Sequence, residues 1–244
     1  VPKMAEGLAH MQQRMGDDWQ RVVGIGLSAP LSLHAWGDLM GAQASLAMAD
    51  WETIDLLQTV QHMTLLPVEF AKDTTAACVA ELVQGRGRDI PNFLYVFIGT
   101  FIGGGLVLDG HIVNGPRGNA GAIGSFPLGG SDQALHTQLL ARASGWQLEQ
   151  DLINAGLDPL LVASDDIMHA DHDAMRSSWL TQAAQALALC VTSASALLDL
   201  DAVVVDGSIS PLLLNRLMEH TQTSMDGIRF DGIHRPQLVA GSVG

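Results

Sequence analysis

Cysteine is scarce in this chain of 244 residues. Only Cys78 and Cys190 occur, far apart, and each lies in an alanine-rich stretch with a helical pattern. Two such isolated thiols exclude a disulfide framework and predict buried, free cysteines in a reducing compartment. We therefore expect a cytoplasmic protein.

Basic residues and long apolar runs are also few. The chain has 12 Lys and Arg against 26 Asp and Glu, a net charge of −14, which disfavours direct contact of these residues with nucleic-acid phosphates. No apolar run approaches the ~18 residues of a membrane-spanning helix, and Val1–Gln13 lacks the basic head and cleavage site of a signal peptide. We expect no membrane partner.

The residues that are present predict strands alternating with helices. Apolar residues make up 48% of the chain, enough for a large core. The pattern predicts α/β layers, with a loop at Leu31–Asp50 and a polar hinge at Gln84–Pro91. Predicted strands are 21–27, 67–70, 93–98, 106–108, 112–113, 201–205 and 237–240. Predicted helices are 3–15, 51–64, 73–84, a stretch after the turn 129–132 up to 144, 146–154, 179–200 and 211–219.

The stretch Phe93–Pro127 is the centre of the chain, because a buried strand there leads into two glycine clusters. Gly99-Thr100 and Gly103-Gly104-Gly105 precede a hairpin turn at Asp109-Gly110. Exposed amides in such a loop can hold phosphate. Glycines can equally serve only to let two layers pack closely, and the glycines alone do not choose between these interpretations.

The segment Asp158–Asp173 is acidic and broken. Asp165, Asp166, Asp171 and Asp173 lie near His169 and His172, and such side chains can bind a metal. The segment lacks the glycine-bearing geometry of a hard-metal loop. We therefore favour a solvated helix start.

The order of these pieces resembles the ROK family of bacterial sugar kinases and sugar-responsive repressors. The family carries GTGIGGG, a hairpin and GNAGEIGH, which resemble residues 99–105 and Gly118–Ser125 here. Earlier and later family segments, GIGIAVPG, PV…NDANAAA…E and VIGGG, resemble residues 22–30, 67–81 and 203–208.

This resemblance implies a two-lobed, actin-like ATPase (ribonuclease H-like) α/β fold. Residues 1–90 would be the remainder of the smaller lobe and 91–244 the larger lobe. Family members begin with a DxGxT hairpin and end with a Gly-Ala-Ala helix, neither of which matches here. On that comparison we expect an incomplete smaller lobe.

The resemblance also assigns candidate site residues, several of which depart from the family. Asp73 matches the catalytic base of the kinases, although it is equally an ordinary helix cap. The matching sugar-binding positions are Lys72, Asp73, Asn119, Ala122 and Ser125, where the family has Asn at position 72, Glu at 122 and His at 125. The phosphate-binding positions are Gly99, Thr100, Gly103, Gly104, Asp206 and Gly207.

These departures argue against catalysis. Phe101 replaces a glycine where the backbone should approach phosphate, and Asp206 places a negative charge in the second loop. A cation at Lys72 would lower the pKa of Asp73 if their heads approach, and Ala122 cannot accept a hydrogen bond from a sugar. Ser125 and the absence of a CxCGxxGC segment leave no ligands for the family's zinc.

We therefore expect the effector domain of a ROK transcriptional regulator without kinase activity or zinc. Its partner would be a small carbohydrate or derivative, or else its cleft would serve only assembly, and a DNA-binding winged helix would lie upstream of this chain. The alternative is an ATP- and Mg²⁺-dependent ROK sugar kinase of the glucokinase or N-acyl-hexosamine kinase type. In either case the resemblance implies a homodimer or tetramer, and the apolar helix 179–200 offers a two-fold contact unless its own lobe covers it.

Overall fold

The structure is a computed structural model that describes residues 2–31, 46, 53–129 and 137–243. Contacts divide the chain into two compact units, Val1–Asp73 and Thr74–Gly244. The predicted hinge Gln84–Pro91 lies within the second unit, where it forms the 3₁₀ turn Arg86–Asp89. The division into lobes at residue 90 stays a prediction. The predicted loop Leu31–Asp50 and the turn after Gly129 lie almost wholly outside the described residues.

Within its described residues, the first unit has a pair of parallel strands and two α-helices, in addition to a short 3₁₀ helix. Helix α1 spans Pro2–Met15 and is followed by the 3₁₀ helix Gly16–Arg21. Strand β1, Ile25–Ala29, pairs with β2, Val68–Lys72, in a register that places Ala29 opposite Lys72. The predicted helix 51–64 is shorter in the structure, because α2, Leu56–Gln61, begins where Asp55 accepts a hydrogen bond from the Gln58 amide.

The second unit is built on a five-stranded mixed sheet. Its strands are β3 Phe93–Ile98, β4 Ile102–Leu108, β5 His111–Val113, β6 Ala202–Gly207 and β7 Gln237–Ala240. They lie in the order β5-β4-β3-β6-β7. Strand β6 pairs in parallel with β3 and with β7, whereas β4 pairs antiparallel with β3 and with β5. The predicted strands 93–98 and 237–240 are confirmed. Strand β4 starts earlier than predicted and includes the three glycines.

Each face of this sheet packs against different helices. On one face Cys78 of α3, Asp73–Gln84, packs in a cluster with Phe93, Tyr95 and Val204. On the other face Val96, Val203 and Val205 meet residues of the last two helices, among them Leu187 and Leu217. The alternation follows from the period of two along a strand, so that successive residues of β3 serve opposite layers.

The described residues of the second unit form four further α-helices. They are α4 Leu140–Ala143, α5 Gly145–Asn154, α6 Asp173–Leu198 and α7 Pro211–Asp226. Helix α7 is longer than predicted because Leu217, Thr221 and Met225 continue a buried stripe at intervals of four residues. The predicted helix up to Ser144 is wrong over 137–139, where Gln138 forms an antiparallel bridge with Pro127.

Helix α6 is the long apolar helix predicted at 179–200, and it begins at Asp173. It packs against α4, α5 and α7 within its own unit. Although the sequence has no uninterrupted apolar run long enough to span a membrane, the helical stretch 170–198 is long and apolar enough on average to do so, and it is the only such stretch in the parts of the chain that the structure describes. Half of the residues in its most apolar part are buried, and its contacts with three helices of the same unit make it part of the core of that unit. The two-fold contact through this helix stays a prediction.

Candidate functional site

The predicted phosphate loops lie side by side where the parallel strands β3 and β6 end. The Ser208 amide donates to the Ile98 carbonyl over 3.0 Å, at the end of β3. A Cβ atom placed on Gly99 would lie 2.7 Å from the Ser208 Oγ, and one on Gly207 would lie 2.2 Å from the Ile98 carbonyl oxygen. Ligands of open α/β sheets bind at such carboxyl ends, so this edge of the sheet is the candidate site.

The loop after β3 is fixed by helix α5. The amides of Gly145 and Trp146, the first residues of α5, donate to the carbonyls of Gly99 and Thr100 over 2.7 and 2.9 Å. The Thr100 hydroxyl donates to the Glu149 carboxylate over 2.8 Å. These hydrogen bonds use donors that a helix start and a threonine could otherwise offer to an anion.

Phe101 is held against the same helix. Its ring stacks on Trp146, with ring centroids 6.4 Å apart and planes inclined by 26°, and both side chains are half-buried. This contact gives Phe101 a packing role beside the loop.

The loop after β6 is fixed by a buried carboxylate. Asp206 is 7% exposed and Tyr95 is 1% exposed. The Tyr95 hydroxyl donates to Asp206 Oδ2 over 2.9 Å, and the Gly207 amide donates to Asp206 Oδ1 over 2.8 Å. Burial raises the pKa of Tyr95 above its ordinary value, and the neighbouring Asp206 carboxylate raises it further. The Gly207 amide is thus hydrogen-bonded to the side chain of the residue before it.

Tyr95 makes this buried pair measurable, because it is the single tyrosine of the chain. We expect the folded protein to show no tyrosinate absorbance at pH values where the unfolded phenol ionises, about 10. Below that pH both states keep the proton. Above it the unfolded state ionises first, so the free energy of unfolding should fall as the pH rises.

An ultraviolet pH titration of the folded protein, with the urea-unfolded protein as reference, checks this expectation. The Tyr95→Phe variant is the control and should give no tyrosinate signal in either state. Ionisation of the folded protein near pH 10 would show that Tyr95 is exposed and not bonded to Asp206.

The three glycines of β4 provide close packing. A Cβ atom on Gly103 would lie 2.8 Å from Thr74 Cγ2, and one on Gly105 would lie 2.5 Å from Cys78 Cβ. The Thr74 hydroxyl donates to the Gly104 carbonyl over 3.0 Å. The interpretation that the glycines let α3 approach the sheet therefore has direct support, and ligand binding by Gly103 and Gly104 stays a prediction.

The predicted sugar-binding positions of the second unit follow β5. Residues 114–122 form turns, and Ile123–Ser125 is a short 3₁₀ helix. Asn119 and Ser125 are exposed, and Ala122 is half-buried. Gly121 packs directly on the backbone of Gly105, which places this segment against the glycines of β4.

The remaining two candidates, Lys72 and Asp73, belong to the first unit. Lys72 ends β2 and is 8% exposed. Asp73 begins α3 directly after it and is half-buried. A carboxylate at the first turn of a helix is favoured by the helix dipole, which is compatible with a capping role and with a catalytic one.

The acidic segment at 158–173 forms 3₁₀ turns and then begins α6 at Asp173. The Ser210 hydroxyl donates to Asp165 Oδ1, and Arg176 forms an ion pair with Asp173. Among the residues that the structure describes, no three His, Cys, Asp or Glu side chains converge as a metal-binding group. The contacts agree with the helix start that we favoured.

Comparison with known proteins decides the family. The sequence profile of the ROK family matches residues 1–229. The chain belongs to the ROK family. Relatives include a putative fructokinase from Bacillus subtilis, 30% identical over 39% of this chain and 32% of that protein. A glucokinase from Halalkalibacterium halodurans is 32% identical over 45% of this chain and 33% of that protein. The matched stretches thus span about a third of these relatives.

Solved ROK structures share the fold. The ROK hexokinase from Thermus thermophilus superposes with a TM-score of 0.66 at 24% identity, covering 100% of this chain and 82% of that one. A ROK transcriptional regulator, a homologue of the E. coli MLC protein, gives 0.69 at 19% identity, covering 98% and 63%. The actin-like α/β fold is therefore shown. Since kinases and a regulator share it, the fold does not choose between their functions.

Sequence reasoning missed the partners of the two loops. Tyr95 lies 111 residues from Asp206, and Glu149 lies 49 residues from Thr100. None of the motifs considered in the sequence includes Glu149. A single tyrosine inside an otherwise apolar strand was a usable signal, because a buried hydroxyl requires a partner.

Proposed function

We propose that this chain is the effector domain of a ROK-family transcriptional regulator that does not work as a sugar kinase. The observation that carries the proposal is the bonding at the candidate site. The Thr100 hydroxyl binds Glu149, and the Gly207 amide binds Asp206. In each of the two predicted phosphate loops, a hydrogen-bond donor is thus bound to a carboxylate of this chain instead of being available to a phosphate.

Charge strengthens this argument. A nucleoside triphosphate is strongly anionic, and at the edge of the sheet its phosphates would be repelled by the carboxylates of Glu149 and Asp206. At an effective dielectric constant of about 20, two like unit charges 4 Å apart repel by about 4 kcal/mol. ATP and Mg²⁺ are therefore not part of the proposed function.

The predicted sugar-binding positions also argue against kinase activity. Ala122 offers no side-chain acceptor, and a buried sugar hydroxyl left without a partner costs about 1–3 kcal/mol. Asn119 is exposed and retains its amide. The proposed ligand is a small carbohydrate or derivative bound with contacts different from those of the kinases, and Ser125 brings no zinc ligand.

The proposal assigns DNA contact to residues beyond this chain, because its net charge of −14 disfavours phosphate contact. The complete protein is proposed to be a cytoplasmic homodimer or tetramer. Light scattering at micromolar concentration tests the assembly, and a monomer mass would reject it.

A second candidate, an ATP-dependent ROK sugar kinase, has one specific observation in its favour. Asp73 stands at the start of α3, and the sequence resemblance matches it to the family's catalytic base. Relatives found by sequence also include proteins that are kinases by name, such as an N-acetylmannosamine kinase from Vibrio cholerae that is 28% identical over 63% of this chain and 54% of that protein.

The proposed function is tested on the complete protein with fragmented genomic DNA and a panel of monosaccharides and sugar phosphates. We expect the protein to select a DNA fragment, and one sugar of the panel to change its affinity for that fragment. The Asp73→Asn variant should keep DNA binding and lose the response to the sugar. The Asp55→Asn variant, altered at an exposed cap of α2, is the control and should keep both. Failure to select any DNA would contradict the proposal.

A further inference from the structure

Glu81 is a carboxylate without exposure to solvent and outside the site described above. It lies near the end of α3 and is 0% exposed. A buried carboxylate is costly unless hydrogen-bond donors surround it. Here the donors are backbone amides, since Ser242 and Val243 donate to Oε1, the latter over 2.7 Å, and Arg86 donates to Oε2 over 2.9 Å. We call this group the Glu81 clasp.

The clasp joins elements that are distant in sequence. Ser242 and Val243 lie 161 and 162 residues from Glu81, in the loop that follows β7. The Gly241 amide of the same loop donates to the Val205 carbonyl over 2.8 Å. A Cβ atom on Gly241 would lie 2.9 Å from Asp206 Cβ. The loop after β7 is therefore the third loop at the candidate edge, beside the loop after β6.

A second observation shows that the clasp is tightly built. A Cβ atom on Gly85 would lie 2.1 Å from Glu81 Oε2 and 2.8 Å from Val243 Cγ2. No larger residue fits at position 85 while Glu81 and Val243 stay in place. The residue that follows α3 is thus a glycine, which leaves room for both the carboxylate and the loop.

We propose that Glu81 is a positioning residue that fixes the loop after β7 to the end of α3. Helix α3 contacts β4 through Thr74 and Cys78 at its start. Near its end, through Glu81, it holds the loop that follows β7, which is an edge strand of the sheet. Helix α3 therefore connects β4 with the loop after β7 across this face of the sheet. Through these contacts it holds the third loop in a fixed position beside the candidate site. The inference does not depend on whether the complete protein is a regulator or a kinase.

Amide hydrogen exchange of the complete protein tests this inference. In Glu81→Ala all three amides lose their acceptor, and exchange at Arg86, Ser242 and Val243 should become about ten-fold faster or more. In Glu81→Gln the side-chain oxygen should stay with the two amides of the β7 loop. Only the Arg86 amide should then exchange faster, while the amides of Ser242 and Val243 should regain slow exchange. A general loss of packing would not restore these two amides selectively.

A variant that leaves Glu81 unchanged keeps the test informative if Glu81→Ala fails to fold. Gly85→Ala should displace the carboxylate and speed exchange at Ser242 and Val243. Glu219→Gln, at an exposed ion pair on α7, and Gly26→Ala, at an open position, are the controls and should leave these amides unchanged. Unchanged exchange at the β7 loop in Gly85→Ala and in Glu81→Ala, or an equal increase in strands β3 and β6, would overturn the proposal.

Discussion

Gly121→Ala is expected to destabilise the second unit by about 3 kcal/mol or more. Gly121 has φ +73°, a conformation that costs an L-residue about 1–2 kcal/mol. Its added Cβ would also lie 2.7 Å from Gly105 Cα and 2.8 Å from Gly105 C. Both are atoms of the backbone in the middle of the sheet, so relief requires movement of a strand and adds an overpacking cost of about 1–3 kcal/mol.

Gly110→Ala is the matched control for this prediction. Gly110 has φ +72°, but nothing lies within 4 Å of an added Cβ. Its substitution should cost only the conformational part, about 1–2 kcal/mol. Urea unfolding followed by tryptophan fluorescence, with Trp146 and Trp179 as reporters in this unit, compares the two variants. Equal midpoints would show that the contact between Gly121 and Gly105 is absent.

Much of the fold could be predicted from the sequence because its signals are local. The apolar run Phe93–Ile98 gives β3, and the Asp109-Gly110 turn places β5 after β4. The order of the glycine motifs along the chain by itself indicates the ROK family. Position and order suffice for such inferences.

Element ends were less predictable where distant contacts extend a helix. Helix α6 begins at Asp173, six residues before the apolar pattern starts at Trp179. The Arg176 guanidinium is buried there and donates to the carbonyls of Ile167 and His169. Such bonding to a preceding turn leaves no periodic signal in the sequence.

The candidate site was predicted in part. The sequence indicated which loops to consider, and the structure places those after β3 and β6 together. The sequence did not indicate that Glu149 binds Thr100, that Asp206 binds the Gly207 amide, or that Glu81 binds the loop after β7. Each of these carboxylates resembles an ordinary helix or turn residue in sequence, and only the fold brings it to its partner.

The second large effect concerns catalysis, and its expected result is the absence of phosphoryl transfer. ROK kinases, as phosphoryl-transfer enzymes, are expected to turn over at about 1–100 per second. Loss of one preorganised donor can cost about 10²–10³ in rate. Here donors at two loops are bound to carboxylates, so sugar-dependent turnover should lie at least about 10³-fold below that range.

A coupled assay of ADP release by the complete protein tests the central claim most directly. The substrates are Mg²⁺-ATP with glucose, mannose or N-acetylated hexosamines, and the Thermus thermophilus ROK hexokinase serves as the positive control. We predict ADP release at background with every sugar, in the unmodified protein and in Asp73→Asn alike. Sugar-dependent release that Asp73→Asn abolishes and Asp55→Asn leaves intact would contradict the account and establish the chain as part of a sugar kinase.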